Sequence, residues 1–364
     1  MPLPARTASD MTARSFERPI AACTPSQMKV ASMANSLPSQ AHASAGQAPV
    51  IACLDGSHQA QEIAQAAAHY AHSFDRPLIL WQVLEHPSDF AELPDPFAWG
   101  VRRQEARREL VRLRDSLPGP SDEVSLELNE GDWLTGLTAL HGGGADGALL
   151  VVGTPGSRDA RNASVRLAGL LSQACPNSVL FVPPGYKPRV IGAPRIAVPI
   201  DGSHFAEAAL AEATRLARQT KAEILLIHVV PDAGLTEFGP PATSDLELRM
   251  RLDRRNEQAA CSFLETTRRR LIAQGLAARS LCLKGDPRSA LLRALGEEAP
   301  DLVILSTRGQ GGRRCSDLAI GGTASYLVDH LTSPVMLVRP AIAPAGRHLP
   351  FAPSERMSGA AHLA

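Results

Sequence analysis

The residues best suited to chemistry in this 364-residue chain lie in one glycine-rich stretch, Ser306-Thr307-Arg308-Gly309-Gln310-Gly311-Gly312-Arg313-Arg314, which runs on to Gly321-Gly322-Thr323. Glycine lets backbone amides close around an anion, and a helix beginning near Thr323 would aim its partial positive end at the same place. That is the chemistry of a phosphate cradle, made without a P-loop, since G-x-x-x-x-G-K-[ST] occurs nowhere in the chain. Arg308, Arg313 and Arg314 make the stretch locally basic. No general base or metal-holding carboxylate pair accompanies it, and Asp317, its one acidic residue, has no assigned role. No catalytic residue and no metal ligand is therefore assigned, and slow hydrolysis of a bound phosphoanhydride is the most that is expected.

A cradle needs a scaffold, and an internal repeat supplies it. Val50-Ile51-Ala52-Cys53-Leu54-Asp55-Gly56-Ser57-His58 returns 146 residues later as Ile196-Ala197-Val198-Pro199-Ile200-Asp201-Gly202-Ser203-His204. A short apolar run ending in Asp-Gly-Ser reads as a buried parallel strand turning into a helix that Ser57 or Ser203 could cap. Amphipathic, alanine-rich stretches follow (Gln59 to Ser73; Phe205 to Gln219), then apolar runs at the same offset, Leu78 to Leu84 and Ile224 to Val230. Each copy continues with a proline-containing loop, a charged helix (Val101 to Leu117; Asp245 to Gln274) and a third strand (Val124 to Leu128; Arg279 to Leu283). A fourth strand (Ala148 to Val152; Leu302 to Leu305) and a fifth (Val179 to Val182; Val335 to Val338) complete it.

Strands alternating with helices predict an α/β protein of two tandem, doubly wound, Rossmann-like domains, each on a five-stranded parallel sheet. The expected boundaries are 47–185 and 195–341, with a linker at 186–194 and aperiodic, disordered segments at 1–46 and 342–364. Ligands of such sheets bind beyond the strand C-termini, at the switch point in strand order. That rule selects Asp201, His228-Val229 and the 306–323 loop in the second copy, and Asp55, Gln82-Val83 and Gly153 to Leu167 in the first.

The set formed by Asp-Gly-Ser, the Leu-Leu-x-His-Val strand, Gly285-Asp286-Pro287, the glycine loop and the closing Ser-Pro-Val-Met-Leu-Val strand resembles the universal stress protein family, over both copies. Its ATP-binding members carry Gly, two residues, Gly, nine residues, then Gly with Ser or Thr. Gly309, Gly312, Gly322 and Thr323 match that spacing. In a second register the strand-closing position is Ser306 and Gly309 is the second glycine; both registers keep Gly309, Gly322 and Thr323 beside the phosphates. The resemblance implies that Asp201 sits by the nucleoside and that the backbone of Val229 meets the adenine edge. Asp201 reads equally as a helix-capping residue. In the first copy Asp55, Val83, Gly153 and Gly156 keep only part of the pattern, and Arg166-Leu167 replaces Gly-Ser, so that site is expected to be degenerate. The implied cofactor is ATP, with or without Mg2+. The implied assembly is an intramolecular pairing of the two domains through their last strands, with a homodimer as a further option.

Composition narrows the alternatives. Lys plus Arg and Asp plus Glu both total 37, a formal net charge of zero, which argues against a nucleic-acid or membrane-surface partner. Aromatic residues make up only 4%, too few for a base-stacking platform. No run approaches the ~18 apolar residues of a membrane span and no signal peptide is recognisable, so a cytoplasmic location is expected. The six cysteines are scattered without zinc spacing and read as free thiols, Cys315 in the loop included. Gly142-x-Gly144-x-x-Gly147 follows a helix and precedes a strand, the wrong context for a dinucleotide fingerprint. An adenylating ligase is disfavoured because Asp-Gly-Ser-His stands where its pyrophosphate loop would be. Two readings remain: an ATP-binding protein of stress response or signalling, and a nucleotide-free protein-interaction module of the same fold.

Overall fold

The computed structural model describes residues 48–85, 95–119, 123–131, 133, 135–137, 147–154, 178–188, 194–232, 243–309 and 320–339. The apolar runs form ten strands: β1 (Val50–Leu54), β2 (Leu78–Leu84), β3 (Val124–Glu130), β4 (Leu149–Gly153), β5 (Ser178–Val182), β6 (Arg195–Pro199), β7 (Glu223–Val230), β8 (Ala278–Lys284), β9 (Leu302–Ser306) and β10 (Val335–Val338). The helices are α1 (Ala60–Ser73), α2 (Pro96–Ser116), α3 (His204–Thr220), α4 (Thr243–Ala273), α5 (Pro287–Glu298) and α6 (Gly322–His330). The sequence places these elements to within a few residues. The expected end segments 1–46 and 342–364 lie outside the described residues.

All ten strands belong to one sheet of order β3-β2-β1-β4-β5-β10-β9-β6-β7-β8. Each half has the order third, second, first, fourth, fifth, with every pairing inside a half parallel. The halves meet where β5 and β10 run antiparallel, with Val335 opposite Phe181, Met336 opposite Leu180 and Leu337 opposite Val179. Across the same junction the Tyr70 hydroxyl donates to the Asp301 carbonyl at 3.1 Å.

Period-two alternation distributes the strand side chains between two cores. Val50, Ala52 and Leu54 of β1 join Ile63, Leu110, Leu216 and Leu264 under α1, α2, α3 and α4. Ile51 and Cys53 point the other way, to the core that holds Leu291, Leu295 and Leu327 of α5 and α6. Helices therefore cover both faces, as a doubly wound sheet with nearly unbroken apolar strands requires. No helix among the described residues is long and apolar enough to cross a membrane.

The two expected serine caps diverge. Ser203 accepts from the Ala206 amide at 3.3 Å and caps α3. Ser57 accepts from the Gln59 amide instead, and α1 starts later, with Gln59 at its N-cap and no side-chain cap. The Gln59 side chain is engaged elsewhere: its Nε2 donates to the Val182 carbonyl at 3.3 Å.

The β5–β10 junction should be a large single contribution to stability, because Leu180 and Met336 face each other with no solvent exposure. Leu180→Ala is expected to cost about 2–5 kcal/mol in urea unfolding, the transfer term plus the cavity. A loss below about 1 kcal/mol would show that the junction relaxes around the cavity and is not closely packed.

Candidate functional site

The C-terminal ends of β6, β7 and β9 bring the predicted residues of the second half to one place. Pro199 of β6 is level with Ile227 of β7, and the Ile200 amide donates to the Ile227 carbonyl at 2.8 Å. Asp201 follows directly, in a turn in which Gly202 takes φ +76° and the Ser203 amide donates to Asp201 Oδ1 at 3.0 Å. Asp201 thus braces the turn into α3, while Ser203 makes the helix cap. His228 Nδ1 lies 2.7 Å from the Ile200 carbonyl, fastening β7 to the base of that turn. Val229, the next residue, is buried.

Gly309 comes against this turn from the other side. A Cβ on Gly309 would stand 2.5 Å from Asp201 Oδ2, closer than side chains tolerate. A side chain at 309 would require the Asp201 carboxylate to move, and glycine lets the backbone come this close without that. The loop that carries Gly309 leaves β9 at Ser306, whose hydroxyl accepts from the Arg308 amide at 3.3 Å.

The start of α6 is tied to the same loop. The Gly321 amide donates to the Thr307 carbonyl at 2.8 Å, and Gly321 is an extended N-cap without a side-chain cap. The first-turn amides, Gly322 and Thr323 included, therefore begin beside the end of β9, where a helix presents its partial positive charge. A Cβ on Gly322 would meet Arg288 Nη2 at 2.6 Å, so the guanidinium lies against the glycine. Arg288 was not among the residues picked out by sequence. It follows Asp286 and Pro287 in the first turn of α5, which Asp286 caps by accepting from the Ser289 amide at 3.0 Å. That amide bond, with a smaller contribution from Arg288, holds the Asp286 carboxyl below its ordinary range.

Comparing the halves shows which residues end the fourth strand. Gly153 closes β4 as Ser306 closes β9, and both are followed by a buried threonine. The Thr154 amide donates to the Val182 carbonyl at 2.9 Å, and the Thr307 amide to the Val338 carbonyl at 3.0 Å. Ser306 is thus the structural counterpart of Gly153, which favours the register with Gly309 as the second glycine. Gly312 lies outside the described residues, as do Gly156, Arg166 and Cys315.

The same end of the sheet in the first half differs in its side chains. Asp55 makes the equivalent turn, accepting from the Ser57 amide at 2.9 Å, but is exposed. Gln59 packs on Gly153 with its Oε1 only 2.6 Å from where a Cβ would stand. In the repeat its counterpart is Phe205. Beside Val83, Trp81 meets Trp133 at a tilt, with ring centroids 5.7 Å apart, and donates to Asn129 Oδ1 at 3.2 Å. Among the described residues no group of His, Cys, Asp or Glu is arranged to hold a metal ion.

The contact between Gly309 and Asp201 makes a specific energetic prediction. Gly309→Ala must displace the carboxylate and weaken its bond to the Ser203 amide, at an expected cost of about 1–3 kcal/mol in thermal or urea unfolding. In an Asp201→Ala background the obstacle is gone and the same change should cost less than half as much. Strictly additive effects in that cycle would show that the two residues do not interact.

Comparison with known proteins bears on both halves. The model of the universal stress protein family matches residues 193–339. The universal stress protein in the QAH/OAS sulfhydrylase 3′ region of Thermus aquaticus is 32% identical over 142 residues, 38% of this chain and 93% of the relative. Universal stress protein YxiE of Bacillus subtilis is 25% identical over 147 residues, 40% of this chain and 98% of that one. Among solved structures, a universal stress protein from Archaeoglobus fulgidus superposes with a TM-score of 0.56 at 14% identity. It covers 80% of this chain and 96% of its own, so the shared fold extends over more than the half that the family model matches. The chain belongs to the universal stress protein family.

Proposed function

We propose that the second half binds an adenine nucleotide, ATP in the first instance, and that the protein acts through it in stress response or signalling. The observation that carries this reading is the convergence of Asp201, Gly309 and the uncapped start of α6 on one end of the sheet. The amides near Gly309, Gly322 and Thr323 would donate to phosphate oxygens, and Arg288 would add a cation that can pair with them in a planar fork. The Asp201 carboxylate would accept from ribose hydroxyls, and the main chain at Val229 would pair with the edge of the base. Any Mg2+ would arrive on the phosphates, its usual carriers, rather than in a protein cage.

The first half would not bind, since Gln59 occupies the approach to Gly153. On this reading residues 47–185 and 195–341 are two domains joined by 186–194 and paired through β5 and β10 as an intramolecular pseudo-dimer. One domain would keep the ligand site and the other would serve the assembly.

Titration calorimetry of ATP and AMP into the purified full chain tests the reading. Binding of ATP is expected, weakened on the order of tenfold by Asp201→Ala, the loss of one charge-assisted hydrogen bond. Gly322→Val should abolish it by keeping the backbone from the phosphates, while Gly156→Val should leave it nearly unchanged. Absence of binding heat from a folded chain, with no nucleotide released on denaturation, would overturn the proposal in favour of a nucleotide-free interaction module. Equal loss from both glycine substitutions would overturn the asymmetry between the halves.

A further inference from the structure

Away from the candidate site, α4 and the edge strand β8 bring two cysteines together. Glu257 and Cys261 are four residues apart on α4 and share a face of the helix; Cys282 and Lys284 are two apart on β8 and share a face of the sheet. Glu257 and Lys284 form an ion pair at 2.5 Å, which fixes the helix over the strand in the register that sets Cys261 over Cys282. Both cysteines are free thiols, and the register sets Cys261 against the Cys282 thiol. Cys261 is exposed, whereas Cys282 is partly buried against the core beneath α4.

We propose that Cys261 and Cys282 are a peroxide-responsive dithiol that closes into a disulfide between α4 and β8. Cys261, open to solvent, meets the oxidant first. Burial, then the hydrogen bond and charge of Cys261 and the charge of Glu257, push the Cys282 thiol up to about 12, with Lys284 opposing. Cys282 is thereby kept as the protonated, resolving partner. In the first step the Cys261 thiolate attacks a peroxide oxygen, the O–O bond breaks, and water leaves with one added proton. The sulfur is then a sulfenic acid. In the second step the Cys282 sulfur attacks it and the S–O bond breaks. Hydroxide leaves and takes up the Cys282 proton as water. Two thiols lose two electrons, and one hydrogen peroxide is reduced to two waters. Closure has the helix and the strand bring the two sulfurs to the ~2.05 Å of a disulfide bond. The pair also stands one strand from the candidate site, because Cys282 lies opposite His228.

The test treats the reduced full chain with stoichiometric hydrogen peroxide, blocks remaining thiols with iodoacetamide, and maps peptides by mass spectrometry without reduction. The expected result is a Cys261–Cys282 cross-linked peptide and the loss of two alkylatable thiols, both reversed by dithiothreitol. Cys282→Ser should instead leave a sulfenic acid on Cys261 that dimedone traps, and Cys261→Ser should leave Cys282 alkylatable; circular dichroism checks that both variants fold. The proposal is overturned if Cys282 stays alkylatable in the unsubstituted chain while Cys261 proceeds to sulfinic acid. Pairing of Cys261 with any other cysteine would overturn it equally.

Discussion

Everything in this molecule hangs on what is done with the fifth strand of each half. A five-stranded parallel sheet whose fifth strand is Ser178–Val182 or Val335–Val338 would end in an open, largely apolar edge, a template for unwanted pairing. Here the two edges satisfy each other, antiparallel and in register, so one chain closes what would otherwise be two sticky surfaces. The outer edges that remain, β3 and β8, are more polar and only partly buried. With both faces covered by helices, the sheet exposes few positions that can bind anything. The strand C-termini, where loops replace helices, are the ones left.

That constraint acts on both halves alike, and yet the halves differ at the end where binding would occur. Both make the same aspartate turn, with glycine φ of +73° and +76°, and both pin the residue after the fourth strand to the fifth. The difference lies in single side chains set on that shared backbone. In the first half Gln59 spans from Gly153 to the Val182 carbonyl. In the second, the approach to Gly309 is bounded by the carboxylate of Asp201, and the approach to Gly322 by the guanidinium of Arg288. An acceptor and a cation with a helix start between them suit a ligand with hydroxyls at one end and negative charge at the other. In the first half an amide packs on glycine instead.

The sequence made most of the scaffold readable because the repeat doubles each signal. The 146-residue offset ties strand to strand, and runs such as Leu78 to Leu84 are too short and apolar for anything but buried strands. Asp201, Gly309 and Gly322 were readable for the same reason, as loop residues after particular strands. Gln59 and Arg288 were not. Each acts by the reach of a long side chain toward a distant glycine, and reach leaves no periodicity. The only sequence signal for Gln59 was its replacement by Phe205 at the repeat offset, and for Arg288 its place just after Asp286-Pro287. The loop register was equally hidden, since glycine spacing fits two alignments; the paired threonine contacts favour one, and those are tertiary.

Carrying both halves on one chain makes such asymmetry tolerable. In a dimer of identical chains, a substitution at the binding end falls on both copies and must serve both. Within one chain Gln59 can pack on Gly153 in the first half while Phe205 stands at the equivalent place in the second, and the β5–β10 pairing of Val179 to Phe181 with Val335 to Leu337 joins both. In the first half Trp81, Trp133 and Val83 close around Gly136, where a Cβ would meet the Trp81 ring at 3.0 Å. That packing rests on a sheet the two halves share, so its stabilisation extends to the strands that carry the second half's loops.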